Sequence, residues 1–260
     1  MGFLSVAHTD IGIRKNTNQD SVLIKEASTD YGKVHLSVIC DGMGGLAKGE
    51  VASATLVRAF SRWFEDEFPA ILYEKREGGQ LDFEALKDSW NQLAAGINSK
   101  ISAYGETFHA PCGTTMAVLL LAEGHYYIAN VGDSRVYAIR ETMKSLTKDQ
   151  TFVQREIDEG RMTPEEASVH PQKNVLLQCV GASPVVAPDF YEGVYQTGDM
   201  FLLCSDGFRH VITEEEFMKI LDPQSMSTEK AMKDAAVYCT ELNKQRRESD
   251  NISVIIIKVD

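Results

Sequence analysis

Paired cysteines, long apolar runs and positive charge are all scarce in this sequence. The five cysteines, Cys40, Cys112, Cys179, Cys204 and Cys239, are odd in number and no two form a C-x-x-C pair. Most stand in apolar runs such as SVIC and FLLC, and they read as reduced core thiols of a reducing compartment. No apolar run approaches the roughly 18 residues that would span a bilayer. The start, MGFLSVAHTD, has no basic leader, so neither a signal peptide nor a membrane anchor is expected, and the expected location is cytoplasmic. Lys and Arg total 26 against 38 Asp and Glu, a net charge of −12. Nucleic-acid binders are usually basic, so no nucleic-acid partner is expected. Internal repeats and low-complexity linkers are absent too, and 260 residues are expected to fold as one domain, 1–260.

What is present is a series of strand-like apolar runs, at 3–8, 21–26, 34–40, 114–121, 125–131, 134–140, 200–204 and 252–259. Many are apolar throughout, as strands buried on both faces are. Two long helices are expected between the third and fourth runs. Ala52, Leu56, Ala59, Phe60 and Trp63 form the apolar stripe of the first. Phe83, Leu86, Trp90, Leu93, Ala94, Ile97, Ile101 and Tyr104 form that of the second. Residues 75–82 are the most loop-like stretch and separate these helices. Further helices are expected over 149–160 and 228–243. Helices do not alternate one-for-one with strands, so a doubly wound parallel sheet is disfavoured. The pattern predicts α+β, with helices packed on the faces of mainly antiparallel sheets.

Four aspartates share one context, the end of an apolar run beside a small or turn-forming residue. They are Asp41 in VICDGMGG, Asp133 in ANVGDSR, Asp206 in LLCSDGF and Asp250 in SDNISVIII; Asp20, in NTNQDSVLI, opens a strand. Asp-Gly and Asp-Asn are common turn dipeptides, which accounts for any one of them. Strand ends of packed sheets, however, gather at common edges. Carboxylates gathered there repel one another by kcal/mol-scale energies unless a cation lies between them. These are hard oxygen donors with no Cys or His at ligand spacing, which favours magnesium or manganese over zinc.

Other phosphate-binding motifs fit less well. Residues 42–47 formally match G-x-G-x-x-A between a strand and a helix. Asp41 directly before the first glycine would repel a pyrophosphate, and no second strand follows to carry a ribose-binding acid. The same stretch misses a P-loop by having Ala47 and Gly49 where Gly and Ser/Thr belong. Cys204 and Arg209 are one residue too close for a cysteine-dependent phosphate loop.

In order along the chain stand TDIGIRKNTNQDS, CDGMGG, CGTTMAVLLL, ANVGDSRVY, LTKDQT, HPQKNVLLQCVGA, GDMFLLCSDGF and SDNISVIII. This ordered set resembles the protein phosphatase 2C, or PPM, family over essentially the whole chain, and its compact size resembles the bacterial branch. The resemblance implies a four-layer αββα sandwich and hydrolysis of phosphoserine and phosphothreonine in proteins by a metal-bridging hydroxide. It implies that Asp41 bridges two Mn2+ or Mg2+ ions, with the Gly42 carbonyl helping at one and Asp206 and Asp250 completing the other. Asp20 would accept a hydrogen bond from a metal-bound water. Asp133 with Asp206 would form a third, weaker site, and about 156–182 would be a flap. The implied partners are phosphorylated proteins, among them a Ser/Thr kinase and its substrates, met by a monomer with no membrane partner. Departures from the family pattern are Gln19 for Glu, Met43 for the His of DGHGG, and Gln150 for the His after LTxD. The phosphate-binding Arg falls on Lys15, with Arg14 one residue earlier, and the two remain alternatives.

Overall fold

The computed structural model describes residues 1–43, 48–74, 76–77 and 79–260. The second half of the glycine-rich stretch, 44–47, and residues 75 and 78 of the loop-like stretch lie outside the described residues. The first half of the chain carries β1 (Phe3–Asp10), β2 (Ser21–Thr29), β3 (Gly32–Cys40), α1 (Gly49–Asp66), α2 (Phe68–Glu74), β4 (Arg76–Glu77), β5 (Gln80–Leu81), α3 (Phe83–Thr107), β6 (Met116–Ala122) and β7 (His125–Val131). The second half carries β8 (Arg135–Ile139), β9 (Met143–Ser145), α4 (Phe152–Asp158), α5 (Pro164–Val169), β10 (Asp189–Val194), β11 (Met200–Cys204), α6 (Asp206–Arg209), α7 (Glu214–Ile220), α8 (Glu229–Gln245) and β12 (Ile252–Val259).

Two five-stranded sheets form, in the orders β1-β12-β11-β8-β9 and β10-β7-β6-β3-β2. Every strand pair within them is antiparallel. Side-chain alternation then sets the layers. On β3, Val34, Leu36, Val38 and Cys40 face α1 and α3, while Ile39 faces the other sheet. On β12, Ile252, Val254 and Ile256 face α8, while Ile255, Ile257 and Val259 face the other sheet. Both faces of these strands are therefore buried, which is why their sequences are apolar runs rather than alternating ones. Each such side chain contributes about 1.5–3 kcal/mol on burial. The result is helices, sheet, sheet, helices: the four-layer α+β architecture.

The expected helical stripes pack inward. Leu56, Phe60 and Trp63 meet Leu86 and Trp90 across α1 and α3, with the two indoles 5.7 Å apart. Asp82 caps α3 by accepting from the Glu84 and Ala85 amides. The stretch read as loop between the helices carries the small β4–β5 hairpin in its place. β10, DFYEGV, is an edge strand with mixed polarity and gives no apolar run. All five cysteines are free and buried. Among the described residues, no helix is long and apolar enough to cross a membrane.

Candidate metal centre

Five aspartates from separate segments meet at one end of the stacked sheets. Asp20 immediately precedes β2 and Asp41 immediately follows β3, and the pairing of Ser21 with Cys40 makes them neighbours. Asp206 follows β11 and Asp250 precedes β12, on strands joined by the pairing of Cys204 with Val254. Asp133 lies in the turn where the chain passes from β7 in one sheet to β8 in the other.

Close backbone packing fixes these positions. The Asp41 amide donates to Thr115 Oγ1 at 2.9 Å, and its carbonyl accepts from the Thr115 amide and Thr114 Oγ1, each at 2.9 Å. Thr115 Oγ1 also bonds Ser134 Oγ at 2.8 Å, which ties the Asp41 turn to the Asp133 turn. Gly42 has no room for a Cβ, which would lie 2.4 Å from the Gln19 carbonyl oxygen and 2.5 Å from that of Gly49. Gly207 is equally confined, 2.2 Å from the Asn251 carbonyl oxygen, and this contact sets α6 against the start of β12.

The electrostatics are those of a site built for positive charge. Burial raises the Asp20 carboxyl to about 7, with the Asp206 and Asp250 carboxylates adding to it. Burial raises Asp41 well above its ordinary value, reinforced by Asp20, Asp206, Asp133 and Asp250. Burial and Asp206 raise Asp133 to about 7, against the pull of Arg209. Both carboxylate oxygens of Asp20 and Oδ1 of Asp206 are buried with no hydrogen-bond partner. Orphaned carboxylate oxygens of this kind are costly unless a cation takes them up. Among the described residues, no three His, Cys, Asp or Glu side chains close on one point as a complete metal cage. Mg2+ keeps several waters and takes only one or two carboxylates, which the unpartnered oxygens of Asp20 and Asp206 can supply. The residues present fit the cations that the sequence implies.

The two candidate phosphate contacts separate. Lys15 Nζ forms an ion pair with Asp250 Oδ1 at 2.7 Å. Burial opposes its charge, but Asp250, with Asp41 and Asp206 beyond it, raises the ammonium above its usual range. Arg14 is exposed.

The departures from the family pattern have local roles. Gln19 braces the site: its carbonyl accepts from the Gly42 amide at 3.1 Å and Ser53 Oγ at 2.6 Å, and its side chain donates to Glu50 at 3.3 Å. Gln150 is nearly buried and holds the Asp133 turn, its side-chain oxygen accepting from the Gly132 amide at 2.9 Å and its amide nitrogen donating to Asp189 at 2.8 Å. The Met43 amide donates to the Gly113 carbonyl at 3.0 Å.

Several neighbours of the cluster, some inside the quoted motifs and some outside them, are not among the expected site residues. Asn251 accepts from the Gln19 amide and donates to the Ile11 and Thr17 carbonyls, fastening the 11–19 loop to β12. Asp149 grips Arg135 through two bonds of 2.7 and 2.8 Å, and Arg209 donates to Asp149 and to the Asp133 carbonyl. His210, one of six histidines that the sequence leaves scattered, lies 3.4 Å from Asp206 Oδ2 and 3.3 Å from Glu248 Oε2. Its place four residues after Asp206 in the same turn is the one linear signal for it. Beside the cluster, a cavity of about 380 Å³ opens between Asp133, Arg209 and His210 and the helices α4 and α5.

A model described as protein phosphatase 2C matches residues 12–239. The relative named serine/threonine phosphatase stp, from Listeria innocua, is 32% identical over 254 residues, covering 96% of this chain and 93% of that protein. Serine/threonine protein phosphatase PstP from Mycobacterium tuberculosis is 31% identical over 97% of this chain, which spans 44% of that protein's length. Among solved structures, the catalytic domain of PstP in complex with two manganese ions superposes with a TM-score of 0.76. It is 30% identical, over 99% of each chain.

Proposed function

Because this chain belongs to the protein phosphatase 2C family and is by that membership a protein serine/threonine phosphatase, we propose that it hydrolyses phosphoserine and phosphothreonine at the five-aspartate cluster. The observation that carries this reading is the convergence of Asp20, Asp41, Asp133, Asp206 and Asp250, with buried carboxylate oxygens of Asp20 and Asp206 left unpartnered. Two manganese or magnesium ions bound there would lower the pKa of a bound water to roughly neutral and neutralise the phosphoryl oxygens.

The chain's own residues then divide the work. Asp41 would be shared by both ions. The Gly42 carbonyl would help at one, and Asp206 and Asp250 at the other. Asp20 would accept a hydrogen bond from water held at the cluster. Arg14 or Lys15 would supply a charge-assisted donor to the phosphoryl oxygens. The segment at about 156–182, which carries α5 and the end of α4, would form a flap beside the site. The substrates would be phosphorylated proteins, among them a Ser/Thr kinase and the proteins it modifies.

The test is hydrolysis of matched peptides that differ only in carrying phosphothreonine, phosphoserine or phosphotyrosine. Each is assayed after chelation and again with Mn2+ or Mg2+ restored. Metal-dependent turnover with kcat/KM favouring phosphothreonine and phosphoserine is expected. Turnover that survives chelation, or a phosphotyrosine preference, overturns the reading.

A further inference from the structure

Asp206 and Asp250 belong to different elements, and a cation shared between them needs their separation held. Glu248 and His210 stand where they can hold it. Glu248 is buried, 6% exposed. Its Oε1 accepts from the Ser249 amide at 2.6 Å and the Asp250 amide at 2.9 Å, gripping the turn that carries Asp250. Its Oε2 lies 3.3 Å from His210 Nδ1, and His210 Nε2 lies 3.4 Å from Asp206 Oδ2. Asp206 is thereby divided: Oδ2 faces the imidazole, while Oδ1 is buried and unpartnered.

Both ends of this chain of contacts are themselves anchored. The Glu248 amide donates to the Asn243 carbonyl at 3.0 Å, and Asn243 Nδ2 donates to the Phe208 carbonyl at 2.9 Å. One residue of α8 thus holds the backbone on either side. Arg247, just before Glu248, adopts φ +65°, a left-handed conformation that only a constrained turn keeps in a non-glycine residue.

We propose that Glu248 and His210 form a positioning strut that sets the spacing of Asp206 and Asp250 and leaves Asp206 Oδ1 as the oxygen offered to a divalent cation. The proposal rests on the metal-dependent reading above. Partners of this kind orient metal-binding side chains, and their loss typically lowers metal affinity about 10–100-fold. With the imidazole removed, the Glu248 and Asp206 carboxylates would face each other without a donor between them, and the Asp206 side chain would lose its fixed rotamer.

The test compares His210→Met with His210→Gln, side chains of similar length of which only Gln keeps a donor. Mn2+ binding is measured by calorimetry on chelator-stripped protein, melting is followed in EDTA, and kcat and KM are measured at saturating Mn2+. The Met variant is expected to melt close to the parent in EDTA and to bind Mn2+ about 10–100-fold more weakly. At saturating Mn2+ it should recover most of its kcat. The Gln variant should regain most of the Mn2+ affinity. Equal Mn2+ affinity in the Met variant and the parent overturns the strut, and so does equal loss in Met and Gln. A Met variant that unfolds in EDTA while Gln stays folded assigns the pair to folding, and also overturns it. A parent that binds no Mn2+ and leaves phosphopeptides intact removes the metal-dependent reading and the strut with it.

Discussion

Lys15 Nζ lies 2.7 Å from Asp250 Oδ1, so this cation at the aspartate cluster is already committed to a carboxylate. Arg14 is exposed and, among the described residues, makes no ion pair. The neighbours should therefore fail differently. Arg14→Ala removes the uncommitted donor; a charge-assisted hydrogen bond is worth roughly 1.5–3 kcal/mol, which is about 10–150-fold in kcat/KM on a phosphopeptide. Its Mn2+ isotherm should match the parent. Lys15→Met should alter Mn2+ binding and lower the melting temperature in EDTA, because Asp250 loses its ion-pair partner. If Lys15→Met instead loses kcat/KM with unaltered Mn2+ binding, the phosphate contact is Lys15.

Asp41 lies at the centre of the mutual repulsion and would serve both ions. In Asp41→Asn the shape is kept and the charge removed. Mn2+ that binds only the folded state would raise the melting temperature of the parent, and that increase should vanish in the variant. Its kcat should fall by about 10³-fold or more, the scale of losing several kcal/mol of transition-state stabilisation. In EDTA the variant should melt no lower than the parent. A variant that keeps its Mn2+-induced rise in melting temperature would remove Asp41 from the metal centre.

Asp20 gives a pH dependence with a definite sign. Its folded-state carboxyl sits at about 7 against an ordinary 3.8. Between those values the folded protein holds a proton that the unfolded chain has released, so metal-free stability falls as pH rises from about 4 to about 7. At about 1.4 kcal/mol per unit, the whole shift is worth roughly 4 kcal/mol. Asp20→Asn lacks it. In EDTA the melting temperature of the variant should rise relative to the parent by roughly 5 °C or more between pH 5 and pH 7.5. Added Mn2+ should stabilise the parent more at pH 7.5 than at pH 5, since the ion takes the deprotonated form. A constant difference between variant and parent across that range would mean Asp20 titrates as an ordinary carboxylate.

The aspartates were legible in the sequence because apolar runs end where buried strands end, and Asp41, Asp206 and Asp250 mark those ends. The apolar runs of β3 and β12 marked strands buried on both faces, while the four-layer order came from the family resemblance. Glu248 and His210 were not legible, and neither was the part that Asn251 plays within its motif. Their contacts join segments as far apart as Ile11 and Asn251, brought together only because β1 pairs with β12. The short helices α5 and α7 are missing from the sequence expectations, although Thr163 with Glu166 and Thr213 with Glu216 form capping boxes whose signal is present in TPEE and TEEE. β10 gave none, because an edge strand needs no continuous apolar run.

Asp133 carries the sharpest test, since its turn is held without its carboxylate. Gln150 takes both the amide and the carbonyl of Gly132, Thr115 holds Ser134, and Arg209 donates to the Asp133 carbonyl, a backbone atom. Asp133→Ala should therefore keep the fold and melt close to the parent in EDTA. The buried carboxylate, raised to about 7 chiefly by its burial and by Asp206, is then available to a further, weakly held cation. With one or two protein ligands such a cation would bind only at high metal concentration. Water on it could protonate the departing alkoxide, a role that the side chain of Met43 has no proton to fill. A serine or threonine alkoxide needs that proton, whereas para-nitrophenolate leaves with little help. The variant should accordingly lose much more kcat on a phosphothreonine peptide than on para-nitrophenyl phosphate, while its affinity for the more tightly held Mn2+ is unchanged. Equal losses on the two substrates, or a collapse in melting temperature, would return Asp133 to a purely structural place in the turn.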